Sequence, residues 1–144
     1  MVLLAKDLMD REVLVLDEAT DVLSAAATMV QRRKGYVILT RHPGREPVGI
    51  VTEWDLLEKV LAPGRSPREV RLKDIASTHL QECGPETPTD EVVARMADLG
   101  VRRIVVRSGD QVLGVITSRS VLANFRKYVD RVSAGIAGFQ GPTG

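Results

Sequence analysis

The sequence predicts an α/β (α+β) protein made of a β-α-β-β-α unit repeated in tandem, with the two copies packed sheet to sheet in pseudo-twofold fashion. The first observation behind this is internal repetition. Lys6-Asp7-Leu8 recurs as Lys73-Asp74-Ile75, and the same offset carries Thr20 onto Thr87, Met29 onto Met96 and Val37-Ile38 onto Ile104-Val105. A shorter offset then aligns Thr52 with Thr117 and Leu57 with Leu122; the difference falls in Arg41-His42-Pro43-Gly44-Arg45-Glu46-Pro47, a surface turn that tolerates extra residues. The second observation is periodicity, since each copy holds a segment of helix-face spacing flanked by short apolar runs. The third is size: a unit of about 60 residues buries too little surface to stand alone, so the copies pack on each other.

Val13-Leu14-Val15-Leu16 reads as the first strand, and Asp17-Glu18-Ala19-Thr20 leads into a helix with Thr20 as N-cap. Val22, Ala25, Ala26, Met29 and Val30 make its apolar face, Arg32-Arg33-Lys34 complements the dipole of its last turn, and Gly35 stops it. Residues 36–40 and 47–51 are strands around the Pro/Gly turn, followed by a helix from Glu53 to Ala62 and a linker, Pro63-Gly64-Arg65-Ser66-Pro67. In the second copy Thr87 caps, Pro88 takes the first helical position, and Asp90 lies three on from the cap. Val92, Val93, Met96, Ala97 and Leu99 supply the buried face and Gly100 ends the helix. Residues 101–106 and 112–116 are strands around Ser108-Gly109-Asp110. Val121, Leu122, Phe125, Val129 and Val132 continue at helical spacing, so the last helix outruns its counterpart before a loose tail from Gly135 to Gly144. The expected division is 1–62, 63–126, and an extension with tail at 127–144.

Composition removes several function classes. A formal net charge of +1 gives no overall field to gather nucleic acid or an anionic membrane, and 3% aromatic residues make a poor stacking platform for single strands. Cys83 is the single cysteine, which excludes an intramolecular disulfide and, with only two histidines, leaves no closed tetrahedral metal site. His79 and Cys83 lie four apart but lack an orienting third group, so no catalytic residue is expected and the protein reads as a non-enzyme. There is no basic start with an apolar run behind it and no apolar stretch of membrane-spanning length, so a cytoplasmic location is expected.

The chemistry concentrates in Gly49-Ile50-Val51-Thr52-Glu53-Trp54-Asp55, where a strand runs into a helix. Thr-x-x-Asp there is a capping box, in which hydroxyl and carboxylate satisfy the free amides of the helix start. A carboxylate at such a corner also suits the two hydroxyls of a ribose, with the helix N-terminus favouring phosphate. Gly114-Val115-Ile116-Thr117-Ser118-Arg119-Ser120 repeats the corner without the acid. Capping alone therefore does not demand Asp55, which favours the ribose reading.

The doubled unit, the signature at 49–55, and the passage Met96-Ala97-Asp98-Leu99-Gly100-Val101-Arg102-Arg103-Ile104-Val105-Val106 closely resemble the CBS domain pair, or Bateman module, over residues 6 to 125. The resemblance implies a stand-alone regulatory module that binds AMP, ADP, ATP or S-adenosylmethionine between its repeats, forms a homodimer, and signals to a regulated protein. It implies Asp55 as the ribose carboxylate, Thr52 as the hydroxyl beside it, and Ile50 and Trp54 as cleft wall. His79, Leu80 and Val101 from the other repeat would form the purine slot. Arg102 and Arg103 either complement a helix dipole or serve phosphates. Ser120 offers no carboxylate and Lys34 stands where Val101 stands, so one competent cleft per chain is expected, the other weak or empty. Val121 to Val132 offers an apolar face for the dimer. Two other readings differ in class: a structural interaction module whose cleft binds nothing, and a nucleic-acid accessory protein, which the charge and the few aromatics disfavour.

Overall fold

The computed structural model describes residues 3–139, and of 127, 128, 131, 132 and 136–139 it describes the backbone alone. In chain order the elements are α1 (Ala5–Leu8), β1 (Val15–Asp17), α2 (Val22–Arg32), β2 (Tyr36–Thr40), β3 (Pro47–Thr52) and α3 (Glu53–Leu56), which continues as a π-helical turn over Leu57–Leu61. A 3₁₀ turn at Leu72–Asp74 follows, then β4 (Glu82–Cys83), α4 (Thr89–Leu99), β5 (Arg103–Ser108), β6 (Gln111–Thr117) and α5 (Ser118–Phe139). Two three-stranded sheets result, ordered β1-β2-β3 and β4-β5-β6, each with one parallel and one antiparallel pairing. Matching register makes the pseudo-symmetry explicit: Tyr36 pairs with Thr52 as Arg103 with Thr117, Val37 with Val51 as Ile104 with Ile116, and Ile38 with Ile50 as Val105 with Val115.

The central strands are apolar on both faces because both faces are covered. Tyr36 and Ile38 meet Val105 and Val115 between the two sheets. Val37, Leu39 and Val51 turn the other way, onto Val22, Ala25 and Met29 of α2, while Ile104, Val106 and Ile116 pack with Val92 of α4. Period-two alternation thus splits each strand between a shared inter-sheet core and a core of its own repeat.

Each repeat borrows its neighbour's leading segment. Ala5, Leu8 and Met9 are buried in the second core, whereas Val70, Leu72 and Ile75 are buried in the first. The leaders are the Lys-Asp-apolar segments that repeat in the sequence, so equivalent residues occupy equivalent places in exchanged positions. Each crosses a strand at a glycine: a Cβ on Gly49 would stand 3.1 Å from the Ser77 carbonyl oxygen, and one on Gly114 would stand 2.7 Å from Met9 Cγ and 2.8 Å from the Asp10 carbonyl oxygen. That close approach explains why both strand-to-helix corners begin with glycine.

Several boundaries differ from expectation. Asp21, not Thr20, caps α2, its carboxylate accepting from Ser24 N at 2.9 Å; hydrogen bonds from the Ser24 side chain and backbone hold that carboxyl below its ordinary value. Neither Thr87 nor a side chain of Pro88 caps α4, which starts at Thr89; its first amide and its hydroxyl both donate to the Leu3 carbonyl, so the leader supplies what a cap would. The stop of α2 is Arg33 in the left-handed region, φ 54°, where the second copy has Gly100. The first strand is only Val15–Asp17, and β5 begins at Arg103, because Val101 still closes α4 through its amide. Val30, Val93, Ala97 and Leu99 lie exposed on their helices instead of buried. Helix α5 runs on through Gly135 to Phe139, since nothing between removes an amide donor; residues 140–144 of the expected tail lie outside the described residues.

Gly114→Ala is expected to destabilise the protein by about 1–3 kcal/mol, the usual cost of forcing extra volume into packed surroundings. Gly49→Ala, whose nearest neighbours sit farther off, should cost less. Urea denaturation of the two variants checks this, and equal midpoints would contradict the account of the crossings.

Candidate functional site

The crossing of the second leader builds a cleft. Ile50 N donates to the Ser77 carbonyl at 2.9 Å and Ser77 N to the Ile50 carbonyl at 3.0 Å. The chain then runs through His79 and Leu80 to Gln81, whose carbonyl accepts from Val105 N at 2.8 Å. A leader held by the first sheet at one end and the second at the other spans the gap between them. Beneath it lies a cavity of about 240 Å³, bounded by the Thr52 corner, the leader, and the residues following α4.

Among the residues expected at the site, Ile50, Thr52, His79, Leu80, Val101, Arg102 and Arg103 all line this cavity. Val101 is delivered by the left-handed cap Gly100, with Val101 N donating to the Met96 carbonyl. Ser77, Gln81 and Val105 also line it and were not anticipated. The signal for Ser77 was the bare Gly49, which announces a close backbone neighbour without naming it.

Trp54 and Asp55 are not among the lining residues. Trp54 is 64% exposed, on the helix that follows the corner. Asp55 completes the capping box: its Oδ2 accepts from Thr52 N at 2.8 Å and from Thr52 Oγ1 at 3.1 Å. Its Oδ1 lies 3.1 Å from Lys59 Nζ, which also donates to the Ile75 carbonyl. In the second repeat Ser120 Oγ accepts from Thr117 N at 2.9 Å and Ser120 N donates to Thr117 Oγ1 at 3.0 Å. Both residues therefore cap, and the inference that Asp55 is surplus to capping needs correcting: serine replaces the acid in that role, but only the acid leaves a second oxygen over.

The Ser120 corner opens on a larger space, a groove of about 760 Å³. Arg33, Lys34, Arg102, Arg103 and Arg119 line it, against the carboxylates of Asp10 and Glu53. Arg102 and Arg103 line both cavities, so the small cleft meets the basic groove at these two side chains. Arg103 lies over Tyr36 with its guanidinium carbon 5.7 Å from the ring centroid, a cation–π contact. Neither Arg103 Nε nor the Tyr36 hydroxyl, both buried, has a hydrogen-bond partner among the described residues. Burial, helped by the Asp10 charge and opposed by Arg103, pushes the Tyr36 phenol up to about 12. Cys83 belongs to the second core, and burial likewise raises its thiol.

A family model for the CBS domain matches twice, over residues 5–62 and 72–127. The chain belongs to the CBS domain family. An uncharacterised protein of Methanopyrus kandleri is 30% identical over 113 residues, covering 78% of this chain and 57% of its own length. The chain thus spans little more than half of that relative. Among solved structures, a hexameric CBS-CP12 protein from bloom-forming cyanobacteria matches with TM-score 0.76 and 30% identity over 84% of this chain and 70% of that one. A CBS domain pair solved in complex with 5'-methylthioadenosine and S-adenosylmethionine matches with TM-score 0.77 over 89% of this chain and 99% of that one, at 19% identity, which is a likeness of fold. CBS domain pairs are generally regulatory and not catalytic. Among the described residues no helix is long and apolar enough to cross a membrane.

The raised phenol carries a pH dependence. Tyr36 is expected to stay protonated in the folded CBS pair to about pH 12 while an unfolded tyrosine ionises near 10, so its contribution to stability is present below pH 10 and lost as the pH climbs to 12. Urea midpoints measured from pH 9 upward should fall less steeply in Tyr36→Phe than in the parent. Identical slopes would contradict the burial of this hydroxyl.

Proposed function

We propose that this CBS pair is a non-catalytic sensor that takes a phosphorylated adenosine compound into the cleft beneath the second leader and passes its occupancy to a partner protein. The observation that carries the reading is that a small mixed cleft and a groove with a cation excess share Arg102 and Arg103 as lining. Ile50, Leu80 and Val101 offer apolar faces for a purine, with Ser77 and Gln81 at its edge. Thr52 stands at the corner for the ribose. Asp55 joins by exchanging the Lys59 ammonium at Oδ1 for ribose hydroxyls while Oδ2 keeps the cap, and hydrogen bonds to a carboxylate are the stronger kind. A space of about 240 Å³ suits base and sugar but not a phosphate tail. The tail therefore passes between Arg102 and Arg103 into the basic groove, where planar guanidinium groups match phosphate oxygens.

This chemistry ranks AMP, ADP and ATP above S-adenosylmethionine, whose sulfonium brings a positive charge toward five cationic side chains, against which stand only two carboxylates. The related pair that holds S-adenosylmethionine and 5'-methylthioadenosine supports the adenosine class as such. Self-association belongs to the same reading. Leu122 and Val129 expose an apolar stripe on α5, 69% and 43% accessible, that suits a second copy, and a hexameric relative supports assembly in the family. That stripe also favours the alternative of an interaction module without a ligand.

Thermal melts separate these readings. ATP at a hundredfold excess over its dissociation constant is expected to stabilise the chain by about 2.7 kcal/mol, with a smaller effect of S-adenosylmethionine at the same concentration. Asp55→Ser keeps a capping side chain, as Ser120 does, and is expected to lose most of the ATP shift. A larger shift with S-adenosylmethionine would contradict the phosphate role, an undiminished ATP response in Asp55→Ser would contradict the ribose role, and no shift with any adenosine compound would leave the ligand-free module.

A further inference from the structure

The two leaders cross at equivalent places but carry different residues. Asp10 exchanges both backbone hydrogen bonds with Val115, as Ser77 does with Ile50. Lys34 follows the left-handed Arg33 and donates back to the Met29 carbonyl, as Val101 follows Gly100 and donates back to Met96. Asp10 and Lys34 are thus the counterparts, in the second cleft, of Ser77 and Val101 in the first. Lys34 Nζ lies 2.5 Å from Asp10 Oδ2, with the lysine side chain 16% exposed.

The cavities show what this pair does to the space. In the first cleft Thr52, Ser77, Leu80 and Val101 line one continuous cavity. In the second, Thr117 and Asp10 line the large groove, whereas Val13, the counterpart of Leu80, lines a separate cavity of about 400 Å³. Lys34 lines both, so the two spaces adjoin at its side chain.

We propose that the Asp10–Lys34 ion pair is a partition that keeps a nucleobase out of the second cleft and so limits the chain to one adenosine-type ligand. This rests on reading the first cleft as an adenosine site. A base in the second cleft would have to lie between Val13 and Lys34, and the lysine is held there by its partner. Displacing it would leave a half-buried carboxylate without its counter-ion, a costly state. The missing acid at Ser120 acts beside the partition: Thr117 and the Ser120 hydroxyl still cap the corner, but no carboxylate is left for a ribose, so a working second cleft needs both changes. The partition also gives Lys34 a second use: its ammonium stays beside the groove that receives phosphates from the first cleft.

The test transplants the pairs. Titration calorimetry with ATP is expected to give one site in the parent, two in Asp10→Ser/Lys34→Val/Ser120→Asp, and none in Ser77→Asp/Val101→Lys. Ser120→Asp alone should stay at one. These variants add or remove the Asp10–Lys34 type of pair as a whole, so none leaves a lone buried ion; should the opened variant fail to fold, Asp10→Ala/Lys34→Ala/Ser120→Asp carries the same expectation of two. One site in the parent and still one in the opened variant overturns the partition. No site in the parent overturns the adenosine reading of the first cleft instead, and the partition is then judged from a crystal structure of the opened variant. Merging of the spaces on either side of residue 34 supports it, and separate spaces refute it.

Discussion

Each cleft exists because a leader is hydrogen-bonded to one repeat and delivered to the other. Ser77 is tied to Ile50 of the first sheet, and four residues later Gln81 is tied to Val105 of the second; Asp10 and Val115 make the mirrored crossing. The crossings satisfy buried backbone groups that would otherwise be orphaned where the sheets part. They also require glycine at 49 and 114, since the leader backbone passes within contact of the position a Cβ would take. Because Leu8 and Leu72 are buried in the other repeat's core, neither repeat has a complete interior of its own. The inter-sheet core of Ile38, Val105 and Val115 then closes around a frame already fixed by the leaders.

Much of this was legible because the repeat constrains the reading. A pattern met twice, with an indel only in a turn, identifies strands and helices more firmly than one copy does, and it brought Thr52, Leu80 and Val101 to one cleft. What repetition leaves open is partnership: an offset says that Leu8 and Ile75 are equivalent, not that each packs in the other's core. Local competition was equally hidden. Thr20 and Asp21 are both good caps, and the carboxylate won through Ser24. Thr89 needed no side-chain cap once Leu3 was beside it, a contact across most of the chain. Trp54, which the resemblance assigns to the cleft wall, stands 64% exposed beside Asp55, and adjacent helical residues point in different directions. The lysine four residues after Asp55 was there to be read as its partner.

The asymmetry of the module lies in charge more than in shape. The backbone frames of the two clefts agree bond for bond, and both corners are capped. Where the first cleft has Ser77, Val101 and one cavity, the second has Asp10, Lys34 and two cavities that both include Lys34. That pair adds one anion and one cation to the groove, whose cation excess comes from Arg33, Arg102, Arg103 and Arg119. A ligand with an apolar base at one end and negative charge at the other would fit that layout in only one direction, with the second repeat as the phosphate side of the proposed site.

The most direct measurement is methyl-resolved NMR during an ATP titration of the isotopically labelled chain. The account predicts that the methyl signals of Leu80 and Val101 move together and saturate at one equivalent, while those of Val13, across the partition, stay in place. Val13 moving in step with Leu80, or Leu80 and Val101 remaining still while ATP binds elsewhere, would contradict it.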